Sequence, residues 1–221
     1  MKFWLLWFLA TLFIFGVAVL KADTIEALGP YIMKTHNERN PNSCIMTLYR
    51  AKTYADQIEI SCQKYNVPLD IAVGILQWES EGFQNKIDKR GTGKLILPVR
   101  QWSFGLGQLK IATANYICKR VSDRKEFITG KELLCNYRLN IDLSIAYFAM
   151  CRDYKNGNIR KGLNAYRAGP VGEKYGNYMI KIRSNGKTER RQYADWVLDC
   201  SESWRRARSK WTERLLNAQY R

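Results

Sequence analysis

Apolar residues recur at helical spacing in one run after another, and the runs are separated by glycine, proline and asparagine. Leu48, Ala51, Ala55, Ile58, Cys62 and Tyr65 form the first such stripe, which Asn66 ends. A second run opens with Pro68, suited to a first helical turn, and Asp70, an acid near the positive end of the helix dipole, and continues to Ser80. The same periodicity predicts helices over 110–119, over 140–154 before Asn156-Gly157, and over 159–168 before Gly169-Pro170. From Gly82 to Trp102 it disappears, and Gly91, Gly93 and Pro98 around a short "LILPV" read as a loop or small hairpin. No internal repeat or low-complexity tract occurs. The expectation is a mainly α fold with a small irregular or β insertion.

One slot in the second stripe is occupied by a carboxylate. Glu79 shares a face with Ala72, Ile75 and Leu76, and the stripe continues to Phe83, whereas Glu81 points the opposite way. Burying an unpaired carboxylate costs several kcal/mol, so Glu79 has a partner, keeps its proton, or lines a cleft. Taken alone it is as compatible with an ion-paired structural glutamate as with a catalytic acid.

The N-terminus points to export. Lys2 is followed by 18 uncharged, mostly apolar residues, Phe3 to Leu20, longer than the roughly 7 to 15 of an ordinary signal core and just within the about 17 to 25 of a membrane span. Residues 1–22 are therefore read as a cleaved signal peptide or a retained anchor, with the rest exported to the periplasm or secreted, and held at the inner membrane by residues 3–20 in the anchored case. Six cysteines, Cys44, Cys62, Cys118, Cys135, Cys151 and Cys200, are an even number without a CxxC pair. In an exported chain they are expected to form disulfides, with buried free thiols as the alternative and the connectivity open.

The chain of 221 residues carries 36 Lys+Arg against 20 Asp+Glu, net +16, which favours anionic partners. Ten of those cations and five acids lie in residues 183–221, read as a basic helical extension with Trp204, Ala207, Trp211 and Leu215 on its apolar face. Export argues against nucleic acid and leaves anionic wall polymer or a membrane surface as partners of that segment. His36 is the only histidine, so histidine triads and zinc-protease motifs are hard to build, and no GxSxG, Walker A or GxGxxG occurs. No cofactor or metal is expected. Carboxylate chemistry remains, and glycoside cleavage is the reaction class that depends on carboxyls of raised pKa.

Four ordered motifs sharpen this. "WES" at 78–80, "GLGQLKIATA" at 105–114, "NIDLSIAYF" at 140–148 and "NAYRAGP" at 164–170 resemble those of the SLT-type lytic transglycosylases, which share a lysozyme-like fold with goose-type lysozymes. The resemblance covers roughly residues 48–178 and implies a lysozyme-like catalytic domain, taken as 42–182. It implies that Glu79 is the catalytic acid with Tyr166 beside it. It further implies a substrate-binding set of Ser80, Ser103, Gly105, Leu106, Gln108, Tyr147, Asn164, Ala165 and Arg167. Three features depart from the family pattern: Gly107 stands for the usual Met, Arg167 for the usual Asn, and 28 residues separate Glu79 from Gln108, a longer spacing than usual.

The activity implied is cleavage of the MurNAc–GlcNAc bond in peptidoglycan glycan strands by a monomer. Glu79 first protonates the linking oxygen; its carboxylate then takes the proton of the muramyl 6-hydroxyl, which closes a 1,6-anhydro product. A lysozyme-type hydrolase with Asp88 as second carboxylate is one alternative, and a non-catalytic wall- or membrane-binding module is the other. Trp78, Trp102, Phe104 and Tyr178 are candidates for stacking on sugar rings, with core packing as the competing role for each.

Overall fold

A computed structural model of the chain describes residues 26–89, 99–170, 179–184 and 187–219. The expected signal or anchor, residues 1–22, Tyr178 and the middle of the insertion lie outside the described residues. Among the described residues no helix is long and apolar enough to cross a membrane.

Residues 26–39 form α1. Next come α2 (Leu48–Tyr65) and α3 (Leu69–Glu79). Thr47 caps α2 by accepting from the Arg50 amide, and Asn66 ends it in the left-handed conformation at φ 50°. Three two-residue strands follow, β1 (Ile87–Asp88), β2 (Ser103–Phe104) and β3 (Leu109–Lys110), with a 3₁₀ turn at Val99–Gln101. They pair antiparallel in order, Ile87 opposite Phe104 and Phe104 opposite Leu109. The chain then continues through α4 (Ile111–Val121), α5 (Gly130–Cys135), α6 (Tyr137–Tyr154) and α7 (Ile159–Ala168). A hairpin of β4 (Met179–Ser184) and β5 (Lys187–Gln192) leads into the long α8 (Tyr193–Gln219). The described structure is mainly helical with a small antiparallel sheet, as expected of a lysozyme-like fold.

Helix α6 runs through the middle, buried almost continuously from Asn140 to Cys151. It is fastened to α2 by Asp142, whose carboxylate accepts from Ser61 Oγ (2.9 Å), Lys64 Nζ (3.0 Å) and Tyr65 Oη (2.9 Å). Such a set satisfies one anion from three directions. Helix α3 packs on α8 so closely that a Cβ at Gly74 would meet Ser201 Oγ at 2.2 Å and the Val197 carbonyl at 2.6 Å. Glycine is required there by contact rather than by backbone angle.

Among the described residues one core runs from α1 to α8. Ala27, Leu28 and Ile32 of α1 share it, as do Tyr193, Ala194, Val197 and Trp204 of α8. Residues 183–184 and 187–192 are strand instead of the expected helix, and the apolar stripe of the following helix joins the core.

The disulfide expectation is also corrected, because all six cysteines are free thiols. Cys62, Cys118, Cys151 and Cys200 are buried on four different helices, α2, α4, α6 and α8, as small apolar side chains, while Cys44 and Cys135 are exposed. Burial pushes the thiols of Cys62 and Cys151 up to about 12 and that of Cys200 up to about 11. In the native protein a thiol reagent should modify Cys44 and Cys135 promptly and the other four only after unfolding. Reductant should leave the melting temperature unchanged; a drop would reveal a bridge.

Candidate active site

Glu79 is the last residue of α3. The chain turns sharply after it, with Glu81, Gly82 and Phe83 all at positive φ (52°, 95° and 65°). Ser80 makes the turn possible: its hydroxyl donates to the Leu76 carbonyl and accepts from the Phe83 amide at 2.7 Å. From outside, Asn40 Nδ2 donates to the Glu81 carbonyl at 3.2 Å. The buried His36 ring lies 3.3 Å from the Phe83 carbonyl and 3.2 Å from that of Cys44. The single histidine is thus structural. Phe83, expected to extend the helical stripe, reaches the core through the turn instead.

The Gly105–Gln108 turn is tied to the surroundings of the acid through Tyr166 and Lys86. A Cβ at Gly105 (φ 75°) would fall 2.3 Å from Asn140 Nδ2, so the turn closes only on glycine. Asn140, completely buried, donates to the Phe104 carbonyl at 2.9 Å and accepts from the Gly107 amide at 2.9 Å. The Gly107 carbonyl in turn accepts from Tyr166 Oη at 2.8 Å. Gln108, at φ 47°, donates its amide to the carbonyls of Gly105 (2.7 Å) and Lys86 (3.1 Å). This leaves its buried Oε1 without a partner.

Two phenols sit beside the acid. Tyr166 of α7 and Tyr193 of α8 lie with ring planes 7° apart and centroids 6.5 Å apart. The Tyr193 hydroxyl faces the Glu79 carboxyl and favours its charged form, although it makes no hydrogen bond of ordinary geometry. Burial, reinforced by Glu79, keeps both phenols protonated far above their ordinary range.

Glu79 itself is half-buried: protein surrounds the carboxyl, yet part of the side chain meets solvent. Desolvation raises its proton affinity above the ordinary carboxyl range, opposed by Arg167, Tyr193 and Lys86 and reinforced by Asp88. Lys86 is also paired with the exposed Glu81 at 2.7 Å. A proton-retaining carboxyl at an opening, faced by phenols and an amide, is equipped for general acid catalysis. Among the described residues no group of three His, Cys, Asp or Glu is arranged to hold a metal ion.

The expected binding residues divide. Gly105 and Gln108 form the turn bonded to Lys86, Arg167 is exposed and acts on the acid electrostatically, and Ser103 is half-buried on β2. Four others are buried. Leu106 is wholly in the core, Ser80 caps the turn, Tyr147 packs behind Tyr166 with centroids 5.1 Å apart, and Ala165 is buried while its carbonyl ends α7. Asn164 bonds to Gln192 and Ala194 at the start of α8. Of the aromatics, Phe104 is in the core and Trp78 stacks on Trp196 with centroids 5.2 Å apart. Trp102 is half-buried beneath Lys89 Nζ, which lies 4.9 Å from its ring. Tyr193 was absent from the expected set. Its signal lay in the phase of its helix, since Tyr193, Val197 and Trp204 share the buried face.

Two departures from the family pattern have local explanations. The place of a Cβ at Gly107 is taken by Ser144 Oγ, 1.8 Å away, so no side chain fits there. Arg167 supplies a cation where the usual residue is neutral, and its field opposes the desolvation of Glu79.

No curated protein matches the chain. The family model described as the transglycosylase SLT domain matches residues 56–191, which include Glu79, the Gly105–Gln108 turn, Asn140 and Tyr166. More than half of the chain is covered, and it therefore belongs to the transglycosylase SLT domain family, whose members are lytic transglycosylases acting on peptidoglycan.

Proposed function

We propose that this protein is exported, cleaves the MurNAc–GlcNAc β-1,4 bond of peptidoglycan and closes a 1,6-anhydro ring on the muramyl product. The observation that carries the reading is the half-buried Glu79, whose proton affinity is raised by desolvation in a site that also presents Gln108 and Tyr166. The protonated carboxyl gives its proton to the linking oxygen as that bond breaks. The carboxylate so formed is stabilised by Arg167, Tyr193 and Lys86, and accepts the proton of the muramyl 6-hydroxyl as this oxygen attacks the anomeric carbon. The proton count closes on one residue. A tethered hydroxyl has an effective concentration on the order of 10⁵ M or more in favourable models, so no second carboxylate is required.

Hydrolysis is the second reading, because the exposed Asp88 on β1 acts on the Glu79 carboxyl. Mass spectrometry of muropeptides released from purified sacculi separates the two. Anhydro ends are expected; reducing ends would assign water as nucleophile, and no release would leave a binding module.

Attachment to the anionic wall is expected to draw on the exposed cations of α8. Arg205 is largely committed within the protein, to Asp70 (3.3 Å) and Glu202 (3.2 Å), and Arg206 pairs with Glu202 at 3.1 Å. Replacing exposed Arg208, Lys210 and Arg214 by Gln should weaken sacculus binding at low salt, have less effect at high salt, and leave turnover at saturation nearly unchanged. Binding indifferent to both salt and charge would make this face merely solvated.

A further inference from the structure

Tyr193 is the first residue of α8, only 1% exposed, and the residues on either side of it are held by a single side chain on α7. Asn164 Nδ2 donates to Gln192 Oε1 at 3.3 Å, and Asn164 Oδ1 accepts from the Ala194 amide at 3.2 Å. Both ends of the Asn164 amide are therefore spent on the chain flanking Tyr193. Two further contacts secure the same turn: the Gln192 amide donates to Asp195 Oδ2 at 3.0 Å, and Asp195 pairs with Arg160, on α7 like Asn164. The Tyr193 ring is stacked on Tyr166, two residues beyond Asn164 on that helix.

We propose that Asn164 is a positioning residue that holds the Tyr193 phenol against the Glu79 carboxyl. It acts through Tyr193 and does not touch the substrate. The groups facing Glu79 are Arg167 and Tyr166 from α7, Tyr193 from α8, and Lys86 and Asp88 from the segment leading into and forming β1. Arg167 and Tyr166 share the helix of Asn164 and keep their places whatever residue stands at 164. Tyr193 belongs to the next helix, and its distance from the acid depends on how α8 is fastened. The Tyr193 contact favours the ionised carboxyl, so its loss raises the proton affinity of Glu79. General loosening of the site would admit water and lower it. The two outcomes have opposite signs.

The test is the ¹³C NMR titration of the Glu79 side-chain carboxyl in the full-length protein, its signal assigned by its absence in Glu79→Gln. Tyr193→Phe and Asn164→Ala are each expected to move the midpoint up by about 0.5 pH unit or more, as the polar contact that favours the ionised carboxyl is lost. The double variant should move no further than Tyr193→Phe alone. The proposal also rests on the reading of Glu79 as the acid: the alkaline limb of kcat for sacculus cleavage should move with the titration, while KM stays within about twofold. Should Asn164→Ala not fold, Gln192→Ala loosens the same amide and should give a smaller shift of the same sign. An unmoved or lowered midpoint, or full additivity with Tyr193→Phe, would overturn the assignment. The titration reads this independently of activity, so an inactive wild type would count against the proposed function alone.

Discussion

Glu79→Gln is expected to lower sacculus cleavage by about 10²–10⁴-fold, the worth of a general acid, and at the same time to make the protein more stable above the ordinary carboxyl range. The first effect follows because the amide keeps the shape of the acid and has no proton to give. The second follows from the direction in which burial moves Glu79. A carboxyl whose proton affinity is higher in the folded than in the unfolded state contributes fully to stability below the unfolded value. As pH rises, the unfolded chain releases its proton first, so the native state binds more protons and stability falls until the folded carboxyl also ionises. Glutamine has no such dependence. Thermal melts over a pH series should show the two proteins nearly equal in acid and the variant ahead at neutral pH and above. A variant less stable at pH 8 would mean that Arg167 and Lys86 hold an ionised Glu79 as a structural ion pair. Glu81→Gln, at an exposed side chain within the turn, should cost no more than a few-fold in rate.

The coexistence of these effects bears on what the sequence could reveal. A carboxylate in an apolar stripe was legible because helical periodicity and the cost of desolvation are local properties, and the motifs matched to the family brought Gln108 and Tyr166 to the same site. Helices α2, α3 and α7 were legible for similar reasons, since each couples an apolar period to a recognisable end such as Asn66 or Gly169. Helix α5 has six residues and the first sheet only two-residue strands, too short for any period to register. The β4–β5 hairpin was hidden by its charge, though Ile180 and Ile182 alternate and Asn185-Gly186 is a hairpin dipeptide. The cysteines misled because an even count in a chain read as exported says nothing about which thiols approach one another. Four of them lie on separate helices as core residues. Asn164 and Ser80 lie within recognised motifs, yet both serve the backbone: one fixes the start of α8 and the other the turn after the acid. Adjacency to a motif does not distinguish a residue that touches substrate from one that places its neighbour.

Gly107→Met, which restores the usual residue of the family, is expected to damage this protein severely. The Gly107 amide is bound by Asn140 and its carbonyl by Tyr166, so the peptide cannot retreat from an added side chain. A Cβ there would stand 1.8 Å from Ser144 Oγ, 2.5 Å from Ser144 Cβ and 3.1 Å from Tyr166 Oη. Ser144 is equally fixed, lying within α6 with its hydroxyl donating to the Asn140 carbonyl at 2.6 Å. Overpacking of this kind costs about 3 kcal/mol or more when neither side can move. It also pushes Tyr166 away from Gly107, with an expected loss of about 10- to 100-fold in cleavage as the phenol beside the acid is displaced. Gly107→Ala already carries the offending Cβ and should lose most of the same stability. The clash has one remover: Ser144→Gly deletes both close atoms, at a cost of about 1 kcal/mol for glycine within a helix. The pair Gly107→Ala with Ser144→Gly should therefore be more stable than the two single effects added together, by a coupling of about 1 to 3 kcal/mol in denaturant unfolding. Strict additivity would show that the Gly105–Gln108 turn yields to a side chain, and that its position is set by Asn140 alone.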